Sequence, residues 1–410
     1  MKQDSVDVVV IGGGAAGMLA SAVAAERGRR VLLLEPNDHT GRKLRITGKG
    51  RCNLTNDCDI AEFLANVPRN GRFLYSALTR LPPRETIELF RRLGLPTVTE
   101  RGNRVFPESG KAADVVETLQ RYMDSTGVEA VKSRALGIDV SDGRVRAVNT
   151  PQGVINCAAA IVCTGGLSYP KTGSTGDGYR MARALGHSVT ALNASLIPLE
   201  SPDPYCAQIQ GFSLKNVRLS VYGAGPKPIY SELGEMLFTH FGVSGPLVLS
   251  ASAHMRDFGN VTYRLSIDLK PGLDEKKLDN RLLRDFESSA NKDFKSVLSG
   301  LCGRAMIPVI AELSGIPGEL KAHSITREQR KNLVALFKAF PVNISGPRPI
   351  DEAVVTSGGV DVREVEPATM ESKLVKGLYF AGEVLDVDAY TGGFNLQIAW
   401  STAYAAGNAV

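Results

Sequence analysis

The chain has 410 residues, 43% of them hydrophobic and 22% charged, which is more than one hydrophobic core organises and predicts two or three domains. That apolar content excludes disorder as the dominant state, because enough surface can be buried to offset the entropy of ordering. The net charge of +5 permits an anionic partner without demanding one.

The longest apolar runs, Val6 to Ile11 and Val31 to Leu34, are strand-length and far short of the roughly 20 residues of a membrane span. Met1, Lys2 and Gln3 pass into a strand with no signal-type segment, and Cys52, Cys58, Cys157, Cys163, Cys206 and Cys302 follow no metal or disulfide spacing. The expectation is a cytoplasmic protein with reduced thiols, no membrane association and no metal.

In chain order, Val6 to Ile11 is a β-branched strand, Ala15 to Arg29 a helix rich in Ala and Leu, and Val31 to Leu34 a second strand ending at Glu35. Between them Gly12-Gly13-Gly14-Ala15-Ala16-Gly17 fits G-x-G-x-x-G. Gly12 permits a tight turn, Gly14 lets a pyrophosphate approach the positive end of the helix, and Gly17 lets helix and strand pack closely. The pyrophosphate is therefore assigned to Gly12, Gly14, Ala15, Ala16 and Gly17. Glu35 lies 21 residues beyond Gly14, where a carboxylate can accept hydrogen bonds from both ribose hydroxyls. An acid here favours an unphosphorylated ribose, hence FAD or NAD(H) before NADP(H).

Residues 41–56 read as a loop with three glycines and five basic side chains. Arg42 and Lys43 are expected at phosphates, with Thr47 and Gly48 supplying backbone donors. Helices are expected at Pro83 to Leu93 and Ala112 to Ser125, followed by a β-rich stretch from Val128 to Cys157 that adds Val131 to the cofactor-binding set. Ile161 to Cys163 is a strand running into Thr164, Gly165 and Gly166, as expected where a crossing strand returns to the cofactor. No second fingerprint follows, since Gly173 to Gly178 lies in a loop that opens a helix. A nicotinamide would then visit the open face of the flavin rather than a domain of its own.

From Ser195 the pattern changes to alternating strands, at Leu214 to Tyr222, Ile229 to Thr239 and Val261 to Leu269. Residues 273–340 read as helical, with candidates at Asp274 to Ser289, Arg304 to Leu313 and Arg327 to Phe340. The expected boundaries are a first dinucleotide segment at 1–193, a β-rich domain at 194–272 and 341–349, a helical insertion at 273–340, and a return at 350–410. In that last segment a short strand closes on Gly382 and Glu383, and Gly392-Gly393-Phe394-Asn395 opens a helix from Leu396 to about Ala406. Glu383 suits a ribityl hydroxyl. The helix beginning near Gly393, Asn395 and Leu396 would aim its amides at the flavin N1 and C2 carbonyl, where negative charge collects on reduction. Only a flavin has use for that arrangement, so FAD is the expected cofactor.

The fingerprint, the run Gly41 to Asn56, the central Leu237 to Pro246, and Ala381 to Asp386 followed by Thr391 to Gln397 resemble the BaiN/RdsA-type bacterial NAD(P)/FAD-dependent oxidoreductases, also described as aminoacetone-oxidase-like flavoproteins. The resemblance covers essentially the whole chain. It departs from the family pattern at Ala389 and Phe394, where relatives often carry Gly and Tyr. It implies an α/β fold, a glutathione-reductase-like FAD-binding Rossmann domain interrupted by a β-barrel-like domain and a small helical domain. It also implies NAD(P)H as a transient reductant and one of three chemistries: reduction of a steroid-like enone, formation of dihydrouridine in ribosomal RNA, or oxidation of a small amine such as aminoacetone.

Two residues are candidates for catalysis. Cys52 lies between Lys49 and Arg51 on one side and Asn53 on the other, and cationic neighbours would lower its thiol pKa; the alternative is a small packed residue beside the cofactor. His240 precedes Ser244-Gly245-Pro246, which reads as a helix start able to hold an anion. The expected reaction is reduction of a conjugated C=C bond in a small-molecule or RNA-base ring, with ribosomal RNA as a candidate partner and a flavin oxidase of amines as the alternative.

Overall fold

A computed structural model describes residues 5–410, so the start at Met1, Lys2 and Gln3 lies outside the described residues. The chain forms two compact units, one of residues up to Ser195 together with Pro349–Val410, the other Leu196–Arg348.

The first unit is built on a seven-stranded sheet. Its strands are β1 (Val6–Ile11), β2 (Val31–Glu35), β3 (Glu129–Lys132), β4 (Gly137–Ser141), β5 (Arg144–Thr150), β6 (Gly153–Val162) and β7 (Leu378–Phe380). The parallel part runs β3-β2-β1-β6-β7, with Val10 paired to Leu33 on one side and to Ile161 on the other, and Ile161 in turn opposite Tyr379. β4 and β5 continue antiparallel from β6. Val8, Val9 and Val10 are all buried, so β1 is covered on both faces, which is why its sequence is a continuous apolar run rather than an alternating one. The covering helices include α1 (Ala15–Glu26), α2 (Ala112–Thr126) and α3 (Phe394–Ala409).

Two local expectations are corrected. α1 stops at Glu26 rather than Arg29, because Gly28 takes φ +82 and turns the chain toward β2. Residues 41–56 are not a plain loop: Gly41 at φ +70 caps a short helix, Arg42–Ile46, whose Leu44 is buried.

The second unit holds a seven-stranded sheet whose strand pairings, among the described residues, are all antiparallel. Ser213–Tyr222 pairs with both Tyr230–Thr239 and Arg264–Asp268. Helices Glu275–Ser288 and Arg327–Lys338 fall in sequence between the paired strands Arg264–Asp268 and Phe340–Asn343. Leu282, Phe286 and Phe337 from those helices share one core with Leu219, Leu265 and Ile267 of the sheet. Phe340, expected at a helix end, instead pairs with Ile267 as the first residue of a strand.

Candidate functional site

The first turn of the sheet meets the requirements of a dinucleotide. A Cβ on Gly17 would lie 1.8 Å from the carbonyl oxygen of Gly12, so only glycine lets α1 start this close to β1. A Cβ on Gly14 would meet nothing within 4 Å, and no side chain caps the N-terminus of α1. The first-turn amides are thus left for an anion in open space. Glu35 Oε2 accepts the N–H of Gly13 at 2.8 Å, while Oε1 accepts from the Asn37 backbone at 2.9 Å and its side-chain amide at 2.6 Å. Val131 lies on β3 beside Leu34. Thr164, just beyond β6, has its Oγ1 buried without a hydrogen-bond partner. An open glycine cradle, an uncapped helix, a half-buried acid and an orphaned hydroxyl fit the diphosphate and sugar of FAD.

The basic side chains are arranged otherwise than expected. Arg42 donates to Asn37 Oδ1 at 2.6 Å and, with Asp38, His39 and Arg45, lines a surface cleft. Lys43, expected at a phosphate, is ion-paired with Glu383 at 2.7 Å and also donates to Ser168 Oγ at 2.7 Å. Glu383 Oε1 further accepts from Ser168 Oγ at 2.9 Å and from the Thr356 amide at 2.9 Å. Residues 43, 168, 356 and 383 therefore form one polar cluster. Its carboxylate is largely consumed by protein donors, which leaves Lys43 and Glu383 as an organised pair beside Gly166 rather than as two separate ligands.

The C-terminal helix is placed by contacts that its Ala-rich sequence conceals. A Cβ on Gly393 would lie 2.4 Å from the Thr55 carbonyl carbon, and Gly393 takes φ +99, so glycine alone brings the start of α3 onto segment 54–56. Trp400 Nε1 donates to Leu54 O at 2.9 Å, and Thr55 Oγ1 donates to Gln397 Oε1 at 2.6 Å. The Gln397 amide, fully buried, also reaches Leu81 O, Thr86 Oγ1 and Ser401 Oγ. Asn56 donates at 3.1 Å to Gly392 O and at 3.1 Å to Gly102 O. Asn395 binds the backbone of Ala389 in both directions, at 2.9 and 2.7 Å, and so holds the approach to α3 rather than offering its own amide. No side chain caps α3, which leaves the amides around Leu396 available. Gly382 packs against Ala16 at the opposite end of the same unit's fingerprint. Sequence reading missed Asn56, Gln397 and Trp400; the signal was a run of polar side chains, Gln397, Ser401 and Thr402, inside an otherwise apolar helix.

Cys52 is completely buried at φ +58, in the turn that follows Thr47 and Gly48. Burial pushes its thiol up to about 12, against a weaker pull from the Thr47 hydroxyl. The expected lowering by Lys49 and Arg51 is thus corrected, since Arg51 is spent on Glu100 at 2.6 Å. His240 belongs to the other unit, exposed in the turn between Tyr230–Thr239 and Gly242–Ser244, with its ring edge-on to Phe241. The expected helix start behind it is real but short, Pro246–Ser252. Among the described residues no cluster of His, Cys, Asp and Glu could hold a metal ion, and no helix is long and apolar enough to cross a membrane.

The family model of the HI0933-like protein Rossmann domain matches residues 6–409. The chain is 31% identical to a ribosomal RNA dihydrouridine synthase of Escherichia coli strain K12, over 97% of this chain and 96% of the relative. It is also 31% identical to a 3-dehydro-bile acid delta(4,6)-reductase of Clostridium scindens, over 98% of each. Among solved structures it resembles 3-ketosteroid delta1-dehydrogenase from Sterolibacterium denitrificans, with a TM-score of 0.53 at 12% identity over 98% of this chain and 99% of that one.

Proposed function

The chain belongs to the HI0933-like family, and from that premise we propose that it is an FAD-dependent oxidoreductase reducing an activated C=C bond in a ring, with uracil in ribosomal RNA as the foremost substrate. The observation that carries this reading is the joining in one unit of the open fingerprint cradle at Gly14 with an uncapped α3 N-terminus at Gly393. A nicotinamide-binding enzyme needs the first but has no use for the second. Near-full-length likeness to a relative named for dihydrouridine synthesis supports the substrate.

FAD bound there supplies hydride to the ring, having been reduced by NADH or NADPH. The residues of the chain do the rest. Glu35 and the α1 amides would hold the adenosine diphosphate, and Lys43 with Glu383 fixes the surroundings of Gly166. The α3 amides offer donors where negative charge must be accommodated. Cys52 keeps its proton on Sγ at any ordinary pH, because burial holds the thiol neutral; so weak an acid is poorly matched to proton delivery, which favours its packing role over a donor role. A ribosomal RNA substrate would place the enzyme in the cytoplasm.

A second reading, reduction of a bile-acid-like enone, is favoured by equal identity to the Clostridium scindens reductase. The direct test is mass mapping of ribosomal RNA from cells with and without the gene. Loss of one dihydrouridine in the deletion strain is expected; unchanged dihydrouridine would turn the assignment to a small enone.

A further inference from the structure

Segments 54–57 and 103–105 are joined edge to edge. Leu54 N donates to Val105 O at 2.8 Å and Asp57 N to Asn103 O at 2.7 Å. Thr97–Glu100 and Arg104–Pro107 form a hairpin whose turn carries Arg101, Gly102 and Asn103. Arg51 pairs with Glu100, and its guanidinium stacks 4.2 Å from the centre of the Phe106 ring. That pair is structural: it pins the segment bearing Lys49 onto the hairpin.

Three exposed cations remain beside these contacts, Lys49, Arg101 and Arg104. Among the described residues none of the three forms an ion pair with a carboxylate; Arg104 donates to the Arg101 carbonyl at 3.1 Å and lies over the Phe106 ring. Some exposed cations elsewhere are paired. Arg30 faces Asp7, Arg84 faces Asp57, Arg91 faces Glu88, Lys277 faces Asp274 and Arg281 faces Asp285. Around the hairpin, Glu100 lies opposite Arg104 but is spent on Arg51, so Lys49, Arg101 and Arg104 keep no carboxylate within ion-pair distance.

The patch is tied to the candidate site. Asn56, 4% exposed, donates through one amide nitrogen both to Gly102 O in the hairpin turn and to Gly392 O just before α3. One buried side chain therefore holds the basic turn in register with the glycines that lead into α3.

We propose that Lys49, Arg101 and Arg104 dock the phosphates of single-stranded RNA and hold the strand while one base is presented beside the α3 N-terminus. This rests on the RNA reading given above. A base must leave its stack before chemistry can reach it, so the enzyme needs a grip that is independent of base identity. Uncompensated Arg and Lys supply one through release of counterions from the phosphates.

The test measures binding of a labelled single-stranded RNA, drawn from unfolded large-subunit ribosomal RNA, to the FAD-loaded protein over a range of salt concentrations. The variants are Arg101→Glu with Arg104→Glu, the milder Arg101→Gln with Arg104→Gln, and Lys276→Glu with Lys277→Glu as a charge-matched control. The hairpin charge reversal is expected to weaken binding at least tenfold and the glutamine pair by a smaller factor. The salt slope should flatten by about 0.7 per lost phosphate contact, while FAD content and flavin reduction by NAD(P)H stay unchanged. Equal affinity of wild type and both hairpin variants, or an equal loss in the Lys276/Lys277 control, overturns the surface while leaving the RNA reading intact. Wild-type protein that reduces a small cyclic enone but binds no RNA at any salt overturns both.

Discussion

Glu35 Oε2 and the backbone N–H of Gly13 are 2.8 Å apart, so the acid expected to hold the ribose also holds the fingerprint turn in shape. Removing it therefore costs twice, once in the ligand and once in the loop. Glu35→Ala is expected to lower FAD affinity at least tenfold, since each charge-assisted hydrogen bond is worth on the order of 1.5–3 kcal/mol. Titration of the apo-protein with FAD measures it, and wild-type affinity would mean that the ribose lies elsewhere.

Gly14 and Gly17 separate binding from folding. A Cβ at position 14 meets nothing within 4 Å, whereas one at 17 collides with the Gly12 carbonyl oxygen at 1.8 Å. Gly14→Ala should leave the melting temperature of the apo-protein unchanged and weaken FAD, by crowding the space the diphosphate needs. Gly17→Ala should lower apo-protein stability itself. Equal behaviour of the two variants in thermal denaturation would show that Gly14 is not an open position.

The α3 amides can be probed through the flavin potential. Leu396 lies in the first helical turn, where proline is sterically tolerated but removes one N–H. Leu396→Pro is expected to retain FAD and to lower its midpoint potential, because the reduced, anionic form loses a donor. A midpoint equal to wild type would assign the helix a purely structural role.

Cys52 serves either as a proton donor or as packing, and the two half-reactions tell them apart. With its thiol pushed up to about 12, a donor role predicts that Cys52→Ala slows substrate-dependent reoxidation of the flavin by roughly 10²-fold or more. Reduction by NAD(P)H should be unaffected. If both half-reactions are unchanged in stopped flow, the residue only fills space.

His187 gives the first unit a pH dependence. Its Nδ1 lies 3.1 Å from Glu364 Oε2 and its Nε2 2.8 Å from Ser372 Oγ, with Phe380 edge-on to the ring. Burial holds its pKa below the ordinary value, against the opposing pull of Glu364. The unfolded chain thus binds this proton more readily than the folded one. The contribution to stability is present above the unfolded value near ~6.5 and is lost as pH falls through it toward the lower folded value. Melting temperature should fall as pH drops below about 6.5, and His187→Asn should flatten that part of the profile. An identical slope in the variant would exclude His187 as its source.

The fingerprint was legible because each of its glycines answers a local steric demand, and Gly12, Gly14, Gly17 and Glu35 carry those demands within one strand-turn-helix. Lys43 was misread for the opposite reason. Its partner Glu383 is 340 positions away, and nothing in a basic glycine-rich run tells a phosphate from a distant carboxylate. Cys52 shows the same limit. The sequence puts cations beside it, but the backbone conformation at φ +58 takes the thiol inside and sends Arg51 to Glu100. Asn56 could be seen only as one polar residue among several, because its work is to join two carbonyls brought together by the tertiary fold.

The chain order of the first unit has a consequence for synthesis. β7 and α3, which complete its sheet and its helical cover, come from Pro349–Val410, after Leu196–Arg348 has emerged as a contiguous stretch. On the ribosome the later-encoded second unit can therefore close first, while the first 195 residues wait with one edge of β6 lacking its β7 neighbour. Such a long-range parallel pairing is slow to form and leaves an exposed strand in the meantime. A nascent chain not yet extended past Leu378 would hold a fingerprint without a finished sheet beneath it, and would depend on chaperones until the last helix arrived.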